Sequence, residues 1–236
     1  SADLFRWLGY WLGDGSYTKE DYAQNIVKLT TSADDKNFAE FCALSTDLFR
    51  RPYVYRKKKE FAVEARITHK GLWLVISQFG KGAERCPPRW MLERATDDEL
   101  LQLLVGYLRA DGWVQPRRQA EVRAVSISQG LMSAICYASS RLGWLCYVNF
   151  CGAKTVDGRN HKATWQMRWS GDAARTLGAV AFGKEWDESG GPSYPTCRRD
   201  EERKRLLVRV RRVDRYMHSG PVYDVEMPEP KAFLMG

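Results

Sequence analysis

No Cys-x-x-Cys occurs anywhere in the chain, and its three histidines (His69, His161, His218) stand apart from its six cysteines. That removes the ligand spacing of a zinc site. Several of the cysteines lie in apolar stretches and read as small core residues, and a reducing compartment is expected. Long apolar runs are missing too: none approaches the roughly 20 residues of a bilayer-spanning helix. No leader pattern opens the sequence. An intracellular location, cytoplasmic or nucleoid-associated, is therefore expected, with no membrane partner. Acidic residues are in deficit, 29 against 37 Lys and Arg, for a formal net charge of +8. A basic balance points, weakly on its own, to a polyanionic partner. The 236 residues suffice for one large domain or two small ones with a real core.

What is present is a motif used twice. In "LGYWLGDGS" (Leu8 to Ser16) apolar residues at helical spacing run up to a carboxylate, Asp14, set between Gly13 and Gly15. An anion at that end of a helix faces the negative pole of the macrodipole. The chain does this again in "LVGYLRADGWV" (Leu104 to Val114), where Asp111 follows Asp14 by 97 residues. Matching segments follow each copy. "NIVKLTTSADDKNFAEFCALSTDLF" is answered by "EVRAVSISQGLMSAICYASSRLGW", and "EFAVEARITHKGLWLVISQFGK" by "ATWQMRWSGDAARTLGAVAFGK". Phe79-Gly80-Lys81 recurs as Phe182-Gly183-Lys184, 103 residues on. The period is too long for a solenoid unit, so the chain reads as an internal pseudo-dimer.

The local signals divide it further. Period-two alternation over 61–68 and 164–170 marks strands, and the mix of strands with helices on one face marks α+β. Ser32 is expected to cap a helix over 33–49, Thr68 one ending at Gly80, and Ser170 one ending at Gly183. Thr96 and Glu99 form a capping-box pattern for a helix ending at Asp111. The expected boundaries are 1–95 for the first half, 96–205 for the second, and 206–236 for a tail that belongs to neither repeat.

The motif helices also carry small residues four apart, Gly9 with Gly13 and Gly106 with Ala110. That spacing lets two backbones approach closely. Packed side by side, the helices would bring Asp14 and Asp111 out together. Two adjacent carboxylates repel unless a cation sits between them. Hard oxygen ligands suit Mg²⁺, and Mn²⁺ or Ca²⁺ could occupy the same sites. Such a centre suits metal-assisted hydrolysis of a phosphodiester. A lone Asp-Gly is more often only a turn; two of them in matched frames outweigh that reading.

"LGYWLGDG" and "LLVGYLRADG" resemble the two helical signatures of a LAGLIDADG homing endonuclease in its single-chain, two-motif form. The likeness runs from Leu4 to about Arg205. The second copy is the closer; the first has Trp11 and Leu12 in the variable middle and Gly13 in place of alanine. The resemblance implies a pseudo-twofold tandem of αββαββα halves, antiparallel sheets forming a DNA-binding saddle, and the paired helices as the central interface. It implies that each acid binds a catalytic metal with the carbonyl before it: Asp14 with Gly13, Asp111 with Ala110. It also implies a basic group near each scissile phosphate. The repeated Phe-Gly-Lys points to Lys81 and Lys184 as catalytic, with Arg85 the rival of Lys81; as caps they would only satisfy a helix end.

Facing away from the helices, Glu64, Arg66 and Thr68 in one half and Gln166, Arg168 and Ser170 in the other are types that read base edges. Arg51, Arg56 and Lys58, with Arg117 in the matching loop, are expected phosphate contacts, and Lys28 and Arg123 are expected to bind DNA as well. The function expected is a monomeric, Mg²⁺-dependent DNA endonuclease (a hydrolase) that cuts both strands of double-stranded DNA. It would leave 3′ overhangs at a long, asymmetric site. The alternatives are a cleavage-deficient DNA-binding protein, including a regulator-like one, or an RNA-splicing maturase of the same fold. The tail segment "GPVYDVEMPEPKAFLMG" resembles the penultimate splicing block of inteins. Without a terminal His-Asn or the amino-terminal splicing blocks, the chain is not expected to splice alone.

Overall fold

In the computed structural model, residues 1–19, 25–57, 61–115, 120–156, 159–186, 197–200 and 205–208 are described. Two helices, α1 (Ala2–Asp14) and α5 (Asp97–Asp111), form its axis. The Ser1 hydroxyl accepts from the Leu4 N–H at the start of α1. At α5 the full capping box forms, with Thr96 accepting from the Glu99 N–H and Glu99 accepting from the Thr96 N–H. Each helix is apolar around most of its girth and is buried at Trp7, Tyr10 and Trp11 in one, and Leu104, Tyr107 and Leu108 in the other. The two touch through their backbones. A Cβ on Gly106 would lie 2.1 Å from the Arg6 carbonyl oxygen, and one on Gly9 would lie 2.3 Å from that of Leu103. Glycine weakens an isolated helix by about 1 kcal/mol relative to alanine. Here it is what permits contact at this range.

Each axial helix opens a half. The first continues through β1 (Gly15–Lys19), β2 (Asn25–Ser32), α2 (Phe38–Leu48), β3 (Tyr53–Lys57), β4 (Ala62–Thr68) and α3 (Lys70–Ile76). A short α4 (Arg89–Arg94) leads to the second half. That half continues through β5 (Gly112–Val114), β6 (Glu121–Ser126), α6 (Gln129–Arg141), β7 (Tyr147–Cys151), β10 (Thr164–Ser170) and α7 (Gly171–Phe182). A small hairpin, β8 (Lys154–Val156) with β9 (Arg159–His161), is inserted between β7 and β10. The two four-stranded antiparallel sheets have the same order, β1-β2-β4-β3 and β5-β6-β10-β7. Val63, Ala65 and Ile67 point inward from one, and Met167 and Trp169 from the other. Two buried tryptophan nitrogens are satisfied by buried serines: Trp7 donates to Ser45 at 2.8 Å and Trp169 to Ser139 at 3.0 Å.

Two expected caps are placed differently, and a third stands where expected but makes no capping bond. Ser32 ends β2, and α2 begins only after Asn37. Asp35 takes the intervening polar groups, accepting from the Thr31 hydroxyl and the Asn37 N–H. That local turn competes with helix initiation. At α3 the cap is His69, whose Nδ1 accepts from the Leu72 N–H, not Thr68. Ser170 does precede α7, but its hydroxyl makes no capping bond, and Gly171 follows at φ +62°. In the tail, β12 (Arg205–Val208) pairs with β11 (Cys197–Asp200); the intein-like stretch lies outside the described residues. No described helix is long and apolar enough to cross a membrane.

Candidate functional site

Asp14 and Asp111 end α1 and α5, and the close approach of those helices brings them together. A Cβ on Gly13 would lie 2.4 Å from the Ala110 Cβ and 3.3 Å from Asp111 Oδ2. Burial pushes the Asp14 carboxyl up to about 7; the charges of Asp111 and Asp35 add to this, while Arg85 opposes it. Burial likewise raises Asp111 to about 6 against the pull of Arg85. Both groups are therefore poor anions where they stand, and a bound cation would favour their charged forms. Among the described residues no group of three or more His, Cys, Asp or Glu side chains is gathered to hold an ion. A metal here would complete its shell with backbone carbonyls, water or a ligand's phosphate. That donor set is all hard oxygen and fits Mg²⁺, Mn²⁺ or Ca²⁺.

The basic groups divide. Lys81 places its ammonium 4.4 Å from the centroid of the Tyr17 ring. Lys184 is exposed and follows Gly183, which closes α7 in the left-handed conformation. Arg85 reaches the apex itself. Its Nη1 donates to the carbonyls of Leu12 at 2.6 Å and Gly13 at 3.1 Å, its Nη2 to that of Gly15 at 2.5 Å, and its Cζ lies 4.9 Å from the centroid of the Trp11 ring. Its own carbonyl accepts from the Ser128 hydroxyl of the second half. Burial lowers its pKa, while Asp111, Tyr107 and Asp14 favour its charge. A guanidinium on the last carbonyls of α1 complements the negative end of that helix. The Gly13 carbonyl, expected as a metal ligand, is thus engaged by Arg85. The Ala110 carbonyl takes no side-chain hydrogen bond from the described residues. Arg85, the rival of Lys81 in the sequence, has no counterpart in the repeat: four residues after Lys81 stands this arginine, and four after Lys184 stands Glu188.

The outer sheet faces carry the other expected residues. Arg66 and Lys28 flank Glu64 on one sheet; Arg123 and Arg168 flank Glu121 on the other. Arg51, Arg56, Thr68 and Ser170 are exposed, and Gln166 is half-buried. Lys58 and Arg117 lie outside the described residues. Glu64, expected to read base edges, is only 3% exposed. It accepts from Arg66 and from the Thr30 hydroxyl and pairs with Lys28 at 3.8 Å. Burial alone would raise its carboxyl, but Arg66, Lys28 and Thr30 outweigh that and hold it below the usual range. Its oxygens are spent on its neighbours, so it orients them instead of reaching outward. Two residues on this surface went unnoticed in the sequence: Glu121, which opens β6, and Trp113, part-exposed and in register with Arg123.

No family model matches the sequence. The chain is 24% identical over 245 aligned positions to the ATP-dependent DNA helicase Hel308 of Thermococcus kodakarensis KOD1, covering 98% of this chain and 20% of the helicase. It thus spans about a fifth of that relative's length. Among solved structures, mesophilic variants of the homing endonuclease I-DmoI match with a TM-score of 0.54 at 14% identity, over 79% of this chain and 98% of theirs. The fold is that of I-DmoI. The complex of I-DmoI with DNA and Mn matches with a TM-score of 0.52 at 14% identity, over 78% and 98% of the two chains. The homing endonuclease I-WcaI, bound to its DNA recognition sequence, matches with a TM-score of 0.51 at 10% identity, over 79% and 83%.

Proposed function

We propose that this protein is a site-specific DNA endonuclease that hydrolyses both strands of a long, asymmetric target and leaves 3′ overhangs. One observation carries the reading: two half-buried carboxylates, one from each half, meet at the joined ends of the axial helices, between two sheets with basic outer faces. Asp14 and Asp111 would hold divalent cations, with the Ala110 carbonyl as a further ligand. When bound, Mg²⁺ supplies polarisation of the scissile phosphate and neutralises its charge. The chain's own residues do the rest. Lys81 and Lys184, the matched lysines of the two halves, would offset charge building on the phosphate. Arg85 fixes the end of α1 and so the position of Asp14. The sheets grip the duplex and set which phosphodiester lies over the acids. Because one chain supplies both halves, a monomer suffices.

The tail and the partial match to a helicase together support an origin as the nuclease segment of an intein, acting inside the cell. The test is a plasmid carrying the uninterrupted gene junction that flanks this segment, incubated with the protein and Mg²⁺. Linearisation is expected, and Asp14→Asn or Asp111→Asn is expected to abolish it while sparing a mobility shift. Binding without cutting by the unaltered protein overturns the nuclease reading.

A further inference from the structure

We infer that the two halves of the DNA target, though different in sequence, each carry a guanine at the same distance from the centre, read by Lys28 with Arg66 in one half and by Arg123 with Arg168 in the other. The inference rests on the proposed DNA-binding role and concerns which bases are read.

Strand register places the two pairs equivalently. Gly15, directly after Asp14, pairs with Leu29, and Gly112, directly after Asp111, pairs with Ala124. Leu29 in turn pairs with Ala65, and Ala124 with Met167. One step along, Lys28 stands opposite Arg66, and Arg123 opposite Arg168. Counted from the two acids, both basic pairs occupy the same place on the outer faces.

The means of holding them differ, yet the result is the same. In the first half the anchoring carboxylate is Glu64 on β4; in the second it is Glu121 on β6, at the position where the first half has Ile26. Glu121 is 8% exposed, accepts from Arg123 Nε at 2.6 Å and lies 3.9 Å from Arg168 Nη1. Each outer arginine also lies over a tyrosine: Arg66 at 5.5 Å from the Tyr55 ring, and Arg168 at 5.0 Å from that of Tyr147. A carboxylate on one edge and a ring beneath fix the guanidinium plane, so little freedom is lost when it meets a ligand. Free edges remain, since the Arg66 side chain is 35% and that of Arg168 47% exposed.

A paired set of donors with no outward acceptor selects among bases. In the major groove guanine offers two adjacent acceptors, O6 and N7, whereas adenine and cytosine present amino groups. The Glu64 and Glu121 oxygens are engaged and are not offered to those amino groups. A loose arginine on a loop would settle on phosphate; these stand pinned on the sheet faces.

The next position differs between the halves. Gln166 is the register counterpart of Glu64, since they pair with Asn149 and Tyr55 respectively. Gln166 and Asn149 line a concavity of about 300 Å³ together with Arg123, Tyr147 and Arg168. Paired amides suit adenine. Symmetric guanines are thus accompanied by an adenine preference in the second half-site only.

The test is selection of bound duplexes from a library randomised across the target, in Ca²⁺, read by sequencing. Guanine enrichment is expected at two positions symmetric about the centre. Arg66→Gln should relax the preference in the first half-site alone and Arg168→Gln in the second alone, by roughly 5- to 100-fold, the scale of one bidentate base contact. Arg66→Lys keeps the charge and a donor without the fork; it should retain salt-dependent affinity and weaken the guanine preference less than Arg66→Gln does. Circular dichroism checks that each variant is folded. Bound libraries with no symmetric guanine, or guanine preferences unchanged by Arg66→Gln and Arg168→Gln, overturn the inference. A library that is not retained at all overturns the DNA-binding reading as well.

Discussion

The two halves share one sheet order and one motif, but they finish their apex differently. In the first, Arg85 grips the carbonyls of Leu12, Gly13 and Gly15. In the second, the Gly112 N–H donates to the Leu108 carbonyl and the Asn37 amide to that of Arg109, with no arginine among the described residues on these carbonyls and Arg109 itself in the last turn. That arginine is turned elsewhere, to the carboxylate of Glu40 and the carbonyl of Ala181. One fold thus presents two unequal acids: Asp14 beneath a helix end already neutralised by Arg85, and Asp111 beside the Ala110 carbonyl, which takes no side-chain hydrogen bond from the described residues. Pseudo-symmetry of the backbone therefore does not extend to the electrostatics of the site.

The comparison breaks most completely if the halves cannot meet. Gly106→Val puts side-chain atoms where the Arg6 carbonyl already sits, and should destabilise the fold by about 3 kcal/mol or more. Gly152→Ala, with open space around it, is the control and should change little. Thermal unfolding of the two variants reads the difference; similar melting temperatures would show that close helix contact is unimportant.

Next in size is the clamp that only one half has. Arg85→Met leaves three carbonyls without their donor and should lower stability by about 3 kcal/mol, the range for hydrogen bonds to a charged group. Lys184→Met, at an exposed position, should stay within about 0.5 kcal/mol. Urea titration of both variants settles whether the halves differ in this way; equal midpoints would refute it.

A smaller effect concerns the acids themselves. Both carboxyls have folded pKa values above their ordinary ones, about 7 for Asp14 and about 6 for Asp111. The fold therefore favours their protonated forms. That contribution is complete below the unfolded value near 4 and is lost as pH climbs through 6 to 7. The melting temperature of the metal-free protein should fall over this window, and Asp14→Asn should flatten the fall. Added Mn²⁺ should raise it more at pH 8 than at pH 5, because binding then displaces no proton. A metal-free melting temperature that is flat between pH 4 and 8 would remove the electrostatic basis of the site.

The smallest expected change sharpens the comparison. Lys81→Ala and Lys184→Ala should leave stability nearly untouched, each slowing cleavage of one strand more than the other. Strand-labelled duplex reads the two rates separately; equal slowing of both strands by either change would deny that each lysine serves its own half.

Much of the design was legible from the residues. The Asp-Gly endings, the small residues four apart and the alternating strands are local patterns with a fixed period, and the backbone obeys them. The capping box at Thr96 and Glu99 is of this kind. Ser32 misled because Asp35 offers a competing turn within the same few residues. Glu64 shows another limit. Alternation places it on the outer face correctly, but its burial under Lys28, Thr30 and Arg66 depends on two strands meeting in register.

What the sequence alone determined is the repeat: two copies of a helix ending in an acid, each followed by the same succession of strands and helices, because helical and strand periods are written in neighbouring residues. What only the tertiary structure decided is how charge is distributed over that repeat. Arg85 finds carbonyls about 70 residues earlier in the chain, and Glu64 and Glu121 arrive at equivalent tasks from different strands. Coulombic and hydrogen-bonded partners are chosen by distance in space, and no period along the chain records that distance.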